Sequence, residues 1–174
     1  MTRKARTTLR TALPSEASRL HALIAANQDE GHLLPRTMTE LVAQADRFVV
    51  AVRRRRIIGC AELLALSPHI AEVRSLAVVP EERHNGIGGM LVDELRQRAR
   101  REGFERLCAF THSPAYFMRM GFSMVPHLWL PEKVFTECVK CPLFRRCGQH
   151  AMLIALDHAV DPIGRDSSVA VRYA

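Results

Sequence analysis

The sequence predicts an α/β (α+β) domain, and three observations carry that reading. Apolar runs of strand length recur between residues 7 and 156, amphipathic segments of helical period interrupt them, and a glycine loop joins a strand directly to one such helix. The 174 residues suit one core, and 48% hydrophobic with 25% charged residues is a globular composition. The expected organisation is a basic arm at 1–6, one domain at 7–156 with a cysteine-rich insertion at 132–150, and a sparsely anchored tail at 157–174.

Residues 7–12 read as the first strand. Pro14-Ser15-Glu16 then opens a segment in which Leu20, Leu23 and Ile24 recur at helical spacing. Residues 31–39 read as a loop and 40–45 as a helical turn. The β-rich runs 48–52 and 57–66 flank Arg53-Arg54-Arg55-Arg56, which predicts an antiparallel hairpin, although the link lacks the Gly or Asn that tight turns prefer. These arginines are a solvated turn on one reading and a nucleic-acid or cofactor-phosphate contact on another. Residues 72–79 read as a fourth strand, whose alternation sets Glu72, Arg74, Leu76 and Val78 on one face. Leu91, Leu95 and Ala99 fall at i, i+4, i+8 of an amphipathic helix closed by Gly103. A strand at 106–111, a short helix at 114–120, a strand opened by Gly121-Phe122 and a last strand at 151–156 complete the order.

The net charge of +7 favours anionic partners such as nucleic acid, a membrane surface, phosphorylated cofactors or acidic metabolites, without choosing among them. No apolar run approaches the roughly 20 residues that span a bilayer, and the basic start MTRKARTTLR leads into no apolar signal segment. The expected location is therefore the cytoplasm. Five cysteines without an export signal argue against a disulfide framework.

The glycine loop, Val78 to Val92 in full VVPEERHNGIGGMLV, is the most informative stretch. A strand, a glycine turn and a helix make an anion site, because the first helical N–H groups lack partners and the helix dipole is positive there. Gly86 and Gly88 begin a dinucleotide fingerprint, but Leu91 occupies its third glycine position, and Gly88-Gly89-Met90 fails the Walker ending. What remains is Arg83-His84-Asn85-Gly86-Ile87-Gly88-Gly89, R-x-x-G-x-G-G, after Leu76-Ala77-Val78-Val79-Pro80. That pattern resembles the pyrophosphate loop of the GCN5-related N-acetyltransferases (GNAT), and Gly121-Phe122 stands where that family has its later Gly-Phe.

The resemblance implies a mixed, mostly antiparallel twisted sheet flanked by helices, and acetyl-CoA as cosubstrate. It implies that N–H groups from Arg83 to Gly89 cradle the pyrophosphate and that the strand edge at Leu76, Ala77 and Val78 pairs with the pantetheine amides. A backbone N–H near Val78 would polarise the thioester carbonyl, a role worth about 3 kcal/mol per donor. Direct transfer to an amine needs a base, for which Glu72 is the candidate, with Arg74 anchoring a substrate carboxylate. The alternative is an ion pair between them. The family's usual acid, a tyrosine four residues before the Gly-Phe, is here Phe117, with Tyr116 adjacent.

Within the family the chain most resembles the acetyltransferase domain of the N-acetylglutamate synthases. The carrying residues are Leu33-Leu34-Pro35-Arg36-Thr37-Met38-Thr39-Glu40, the run from Glu72 through Ser75 to Val78, and Leu130-Pro131-Glu132-Lys133. This resemblance implies acetylation of an amino-acid α-amine, above all that of L-glutamate, as the first step of arginine biosynthesis, with Arg36, Arg74 and Ser75 at the substrate. Another small amine or a peptide N-terminus is the alternative acceptor. The implied partner is a small-molecule amino acid and no membrane; nucleic acid is disfavoured, and a homodimer stays open.

Cys138, Cys141, Cys147 and His150 present C-x2-C-x5-C-x2-H, a donor set compatible with tetrahedral zinc. Buried or free thiols and a redox pair of Cys138 with Cys141 are the other readings, while Cys60 and Cys108 lie in strands and read as core. A non-enzymatic alternative, a basic zinc-knuckle module binding nucleic acid, accounts for the charge and the cysteines but not for the glycine loop or the Glu72/Arg74 pair.

Overall fold

The structure, a computed structural model, describes residues 5–28 and 33–156. Most of the expected arm and the whole expected tail, 157–174, lie outside the described residues.

A single seven-stranded sheet organises the chain in the order β1-β2-β3-β4-β5-β7-β6. The strands are β1 (Thr8–Thr11), β2 (Phe48–Arg53), β3 (Arg56–Ala65), β4 (Ile70–Val78), β5 (Arg106–Thr111), β6 (Ser123–Val125) and β7 (His150–Ala155). All neighbours are antiparallel except β4 and β5. Parallel neighbours need a crossover, supplied by the amphipathic helix α3 (Ile87–Arg101). The other helices are α1 (Ala17–Ala25), α2 (Met38–Ala43), α4 (Pro114–Met118) and α5 (Pro131–Thr136). The expected fold class and element order are both present.

Helix α3 is anchored by Leu91, Leu95 and Ala99, all fully buried, and each leucine contributes roughly 2 kcal/mol by leaving water. Gly59 on β3 allows this packing: a Cβ there would sit 3.1 Å from both Ile87 and Leu91. The helix ends in a Schellman motif, with Gly103 at φ 86° and the Phe104 N–H donating to the Ala99 carbonyl at 3.0 Å. The main core joins α1, α2 and α3 to the sheet, and a smaller cluster of Ile70, Cys108, Leu130 and Ala151 packs beneath α5.

Two backbone features depart from the expectation. The β2–β3 link closes as a two-residue turn with Arg54 at φ 48° and Arg55 at φ 63°, the left-handed geometry of a type I′ hairpin built without Gly or Asn. On β4, Glu72 faces Leu64 and Arg74 faces Glu62, but Ala77 faces Cys60 and Val78 faces Gly59. One extra residue on β4, with Ser75 at φ 49°, makes a β-bulge. A bulge reverses the alternation. Ala77 therefore shares the face of Glu72 and Arg74, and Val78 turns to the other face, correcting the expected common face of all four.

Candidate active site

The bulge precedes a parting of the sheet. β4 and β5 pair only from Ile70↔Arg106 to Val73↔Ala109, while β5 continues along β7 to Thr111 and β4 along β3 to Val78. Beyond Val73 one edge of β4 thus carries backbone groups that β5 does not bond, the situation in which an extended ligand adds as a strand. A cleft of about 1950 Å³ opens there. It is lined by the β4 edge, the glycine loop, α4, α5 and the cysteine segment.

At one end stands the glycine loop. His84 and Gly86 adopt positive φ, 61° and 78°, and Gly86 caps α3, so the loop bends tightly and the first N–H groups of the helix open outward. Arg83 is held by Asn27 Oδ1, which accepts from its guanidinium at 2.9 Å, and by the Val78 carbonyl at 3.4 Å. The acidic residues beside the loop are matched by the hairpin: Arg53 pairs with Glu82 at 2.5 Å and Arg56 with Glu81 at 2.9 Å. Two of the four link arginines are therefore committed to ion pairs within the fold. Tyr116 of α4 reaches the loop, with its hydroxyl against Gly88.

At the other end is a charged network. Glu72 is 3% exposed and accepts from Lys133 Nζ at 2.9 Å; Lys133, 7% exposed, also donates to Glu137 at 2.7 Å. Arg74 donates to Glu137 at 3.1 Å and lies 3.9 Å from Glu72. Burial pushes the Glu72 carboxyl above the usual carboxylate range, against the pull of Lys133 and Arg74. Burial also raises Glu137, but its hydrogen bond to Lys133 and the nearby Arg74 outweigh that and leave it lowered.

The family model of the Acetyltransferase (GNAT) family matches residues 14–122 of the chain. The chain belongs to the GNAT family. An uncharacterised N-acetyltransferase of Chlorobaculum tepidum is 30% identical over 150 residues, covering 86% of this chain and 97% of that protein. An amino-acid acetyltransferase of Pectobacterium carotovorum is 31% identical over 127 residues, and the match covers 72% of this chain but only 29% of that protein. Among solved structures, N-acetylglutamate synthase from Neisseria gonorrhoeae, complexed with coenzyme A and N-acetyl-glutamate, superposes with a TM-score of 0.79 at 23% identity. That match covers 89% of this chain and 36% of the synthase. Rv2747 of Mycobacterium tuberculosis, in complex with CoA, gives 0.72 at 25% identity, covering 86% of this chain and 99% of that one. This GNAT protein is thus an acetyl-CoA-dependent N-acetyltransferase, and no described helix is long and apolar enough to cross a membrane.

Most of the site residues expected from the sequence line the one cleft: Glu72, Arg74 and Ser75, Leu76 and Val78, Arg36, and the loop residues Arg83, His84, Gly86, Ile87, Gly88 and Gly89. Ala77 is buried beneath it, and Asn85 stands outside the lining. Arg36 is bound within the protein: its guanidinium donates to Glu62 at 2.7 Å and to Gln44 at 2.8 Å. Phe117, 5% exposed, packs edge-on against Phe122 as core. In this GNAT chain the tyrosine near that position is Tyr116, whose hydroxyl burial keeps protonated beyond its ordinary range.

The zinc set is not assembled. Among the described residues no three His, Cys, Asp or Glu side chains lie close enough to hold a metal. Cys138 and Cys141 sit at the ends of one 3-10 turn, Cys147 is exposed, and His150 is fixed opposite Thr111 by β7. Cys60 and Cys108 are buried, as expected, and burial pushes the Cys60 thiol up to about 12.

The sequence reading assigned no part to Lys133, Glu137 or Asn27. A usable signal existed for the first two, since a helix opened by Pro131 places Lys133 and Glu137 at i, i+4. Nothing local marks Asn27, whose partner is distant in sequence.

Proposed function

We propose that the protein transfers the acetyl group of acetyl-CoA to the α-amine of an amino acid, with L-glutamate as the acceptor, by direct attack in a ternary complex. The observation that carries this reading is the meeting, in one cleft, of the glycine loop with a buried carboxylate flanked by Arg74 and Lys133. The name of the amino-acid acetyltransferase relative supports the acceptor class.

The loop from Arg83 to Gly89 holds the pyrophosphate, and the β4 edge at Leu76 to Val78 pairs with the pantetheine. The acceptor amine enters neutral, its nitrogen lone pair attacks the thioester carbon while Glu72 takes one N–H proton, and a β4 backbone N–H near Val78 stabilises the oxyanion. The C–S bond then breaks and the thiolate leaves, taking its proton from water. Arg74 and Ser75 meet the acceptor carboxylate, and Arg36 supports that wall through Glu62.

The test is thiol release from acetyl-CoA across glutamate, glutamine, ornithine, lysine and short peptides. Glutamate should be preferred, and Arg74→Ala should raise its KM by roughly 10- to 100-fold, as loss of a charged hydrogen bond does. Turnover with peptides but with no free amino acid would overturn the acceptor assignment.

A further inference from the structure

Lys133 lines the same cleft, and a lysine side chain in general keeps its ammonium in water. Instead it is turned inward over the Phe110 ring, 5.6 Å from its centroid, and bonded to two carboxylates, Glu72 at 2.9 Å and Glu137 at 2.7 Å. A buried lysine is costly unless paired. Here one cation is divided between a carboxylate deep in the cleft and one at its rim. We propose that Lys133 is a positioning residue for the acceptor amine's base, holding Glu72 ionised and aimed into the cleft, and that Glu137 sets how much of the Lys133 charge Glu72 receives. The proposal rests on the reading of Glu72 as that base.

Among the described groups facing Glu72, only Lys133 hydrogen bonds to it, and Glu137 shares that lysine. Arg74 follows on β4, but its ion pair with Glu72 is long, 3.9 Å, and its hydrogen bond goes to Glu137. Glu62, opposite Arg74 on β3, is 0% exposed and bound to Arg36. Cys108, opposite Glu72 on β5, and Cys138 after α5 are both raised by burial and stay neutral thiols near pH 7. Glu132 is the other carboxylate of α5, and His127 stacks on Phe110 with ring centroids 5.5 Å apart. Neither hydrogen bonds to Glu72. Lys133, by charge and hydrogen bond, and Arg74, by charge alone, pull Glu72 toward the ionised state, and Glu137 pushes it toward the protonated one.

The experiment follows kcat/KM against pH in the wild type, Glu72→Gln, Lys133→Met, Lys133→Arg and Glu137→Gln. The acidic limb should move up by about one pH unit or more in Lys133→Met, return toward the wild-type position in Lys133→Arg, and move down in Glu137→Gln. A merely structural pair would not move the limb in opposite directions. If Glu72→Gln abolishes the limb but Glu137→Gln leaves it in place or raises it, the inference falls while Glu72 stands as base. If Glu72→Gln keeps the wild-type limb, the base assignment falls and takes the inference with it. Should Lys133→Met fail to fold, Glu137→Gln, at a half-buried position, decides alone.

Discussion

Gly88 has no room for a side chain. A Cβ there would overlap the Tyr116 hydroxyl, with the ring carbon that bears it 3.3 Å away. Gly88→Ala is therefore expected to displace Tyr116 or the loop and to raise the KM for acetyl-CoA at least about tenfold, the effect of about 1.4 kcal/mol. Gly88→Ala with Tyr116→Phe should regain most of the loss, because removing the hydroxyl leaves a tight but tolerable contact; steady-state kinetics on the two variants check this. The need for glycine in the loop was legible in the R-x-x-G-x-G-G spacing. The reason at this position was not, because Tyr116 arrives from a different helix after the chain has crossed β5. Asn27 is a similar case: its bond to Arg83 joins the end of α1 to the loop across the fold.

At the level of elements, the hairpin was visible in its two β-rich runs, but its turn was not, since arginine carries no preference for positive φ. Holding Arg54 and Arg55 in left-handed geometry costs stability that Asn-Gly would not. Arg54→Asn with Arg55→Gly should stabilise the protein by about 1 kcal/mol, read as a higher midpoint of denaturant unfolding at unchanged slope. Helix α3 was the most legible element, because three buried residues at i, i+4, i+8 and a closing Gly103 agree on period and end. The bulge at Ser75 was hidden: Glu72-Val73-Arg74-Ser75-Leu76 reads as uninterrupted strand, and only the pairing with β3 shows the extra residue. Helix α5 entered the sequence reading only as part of a family likeness although Pro131 marks its start, and its docking over Glu72 depends on long-range packing of Leu130 with Ile70 and Cys108.

For the molecule as a whole, two buried glutamates act on stability with opposite sign. Glu16 is bound by Arg10 at 2.7 Å and by the Leu13 N–H at 3.0 Å, and the Arg10 hydrogen bond lowers its pKa from an ordinary 4.5 to about 2. Its contribution is present above the ordinary value and lost as pH falls toward 2. Glu16→Gln should therefore lower stability by about 1 kcal/mol at pH 7, a modest figure because Arg10 is half exposed, and the difference should vanish near pH 2. Glu72 is shifted upward, so its ionisation costs stability as pH rises through its folded value. Glu72→Gln is expected to abolish turnover, and its Tm relative to the wild type should rise as pH goes up from the ordinary carboxylate range toward neutrality. Thermal unfolding of both variants across pH checks the two signs. The order of the elements and the glycine loop could be read from the chain, whereas the charge balance around Glu72 exists only once α5 is folded over β4. The parting of β4 from β5 has a mechanical consequence of its own: the sheet is two leaves joined by a seam of four residue pairs, from Ile70↔Arg106 to Val73↔Ala109. With the donor strung along the free margin of the β4 leaf as proposed, its loading is expected to stiffen the wall against which the acceptor must then be gripped.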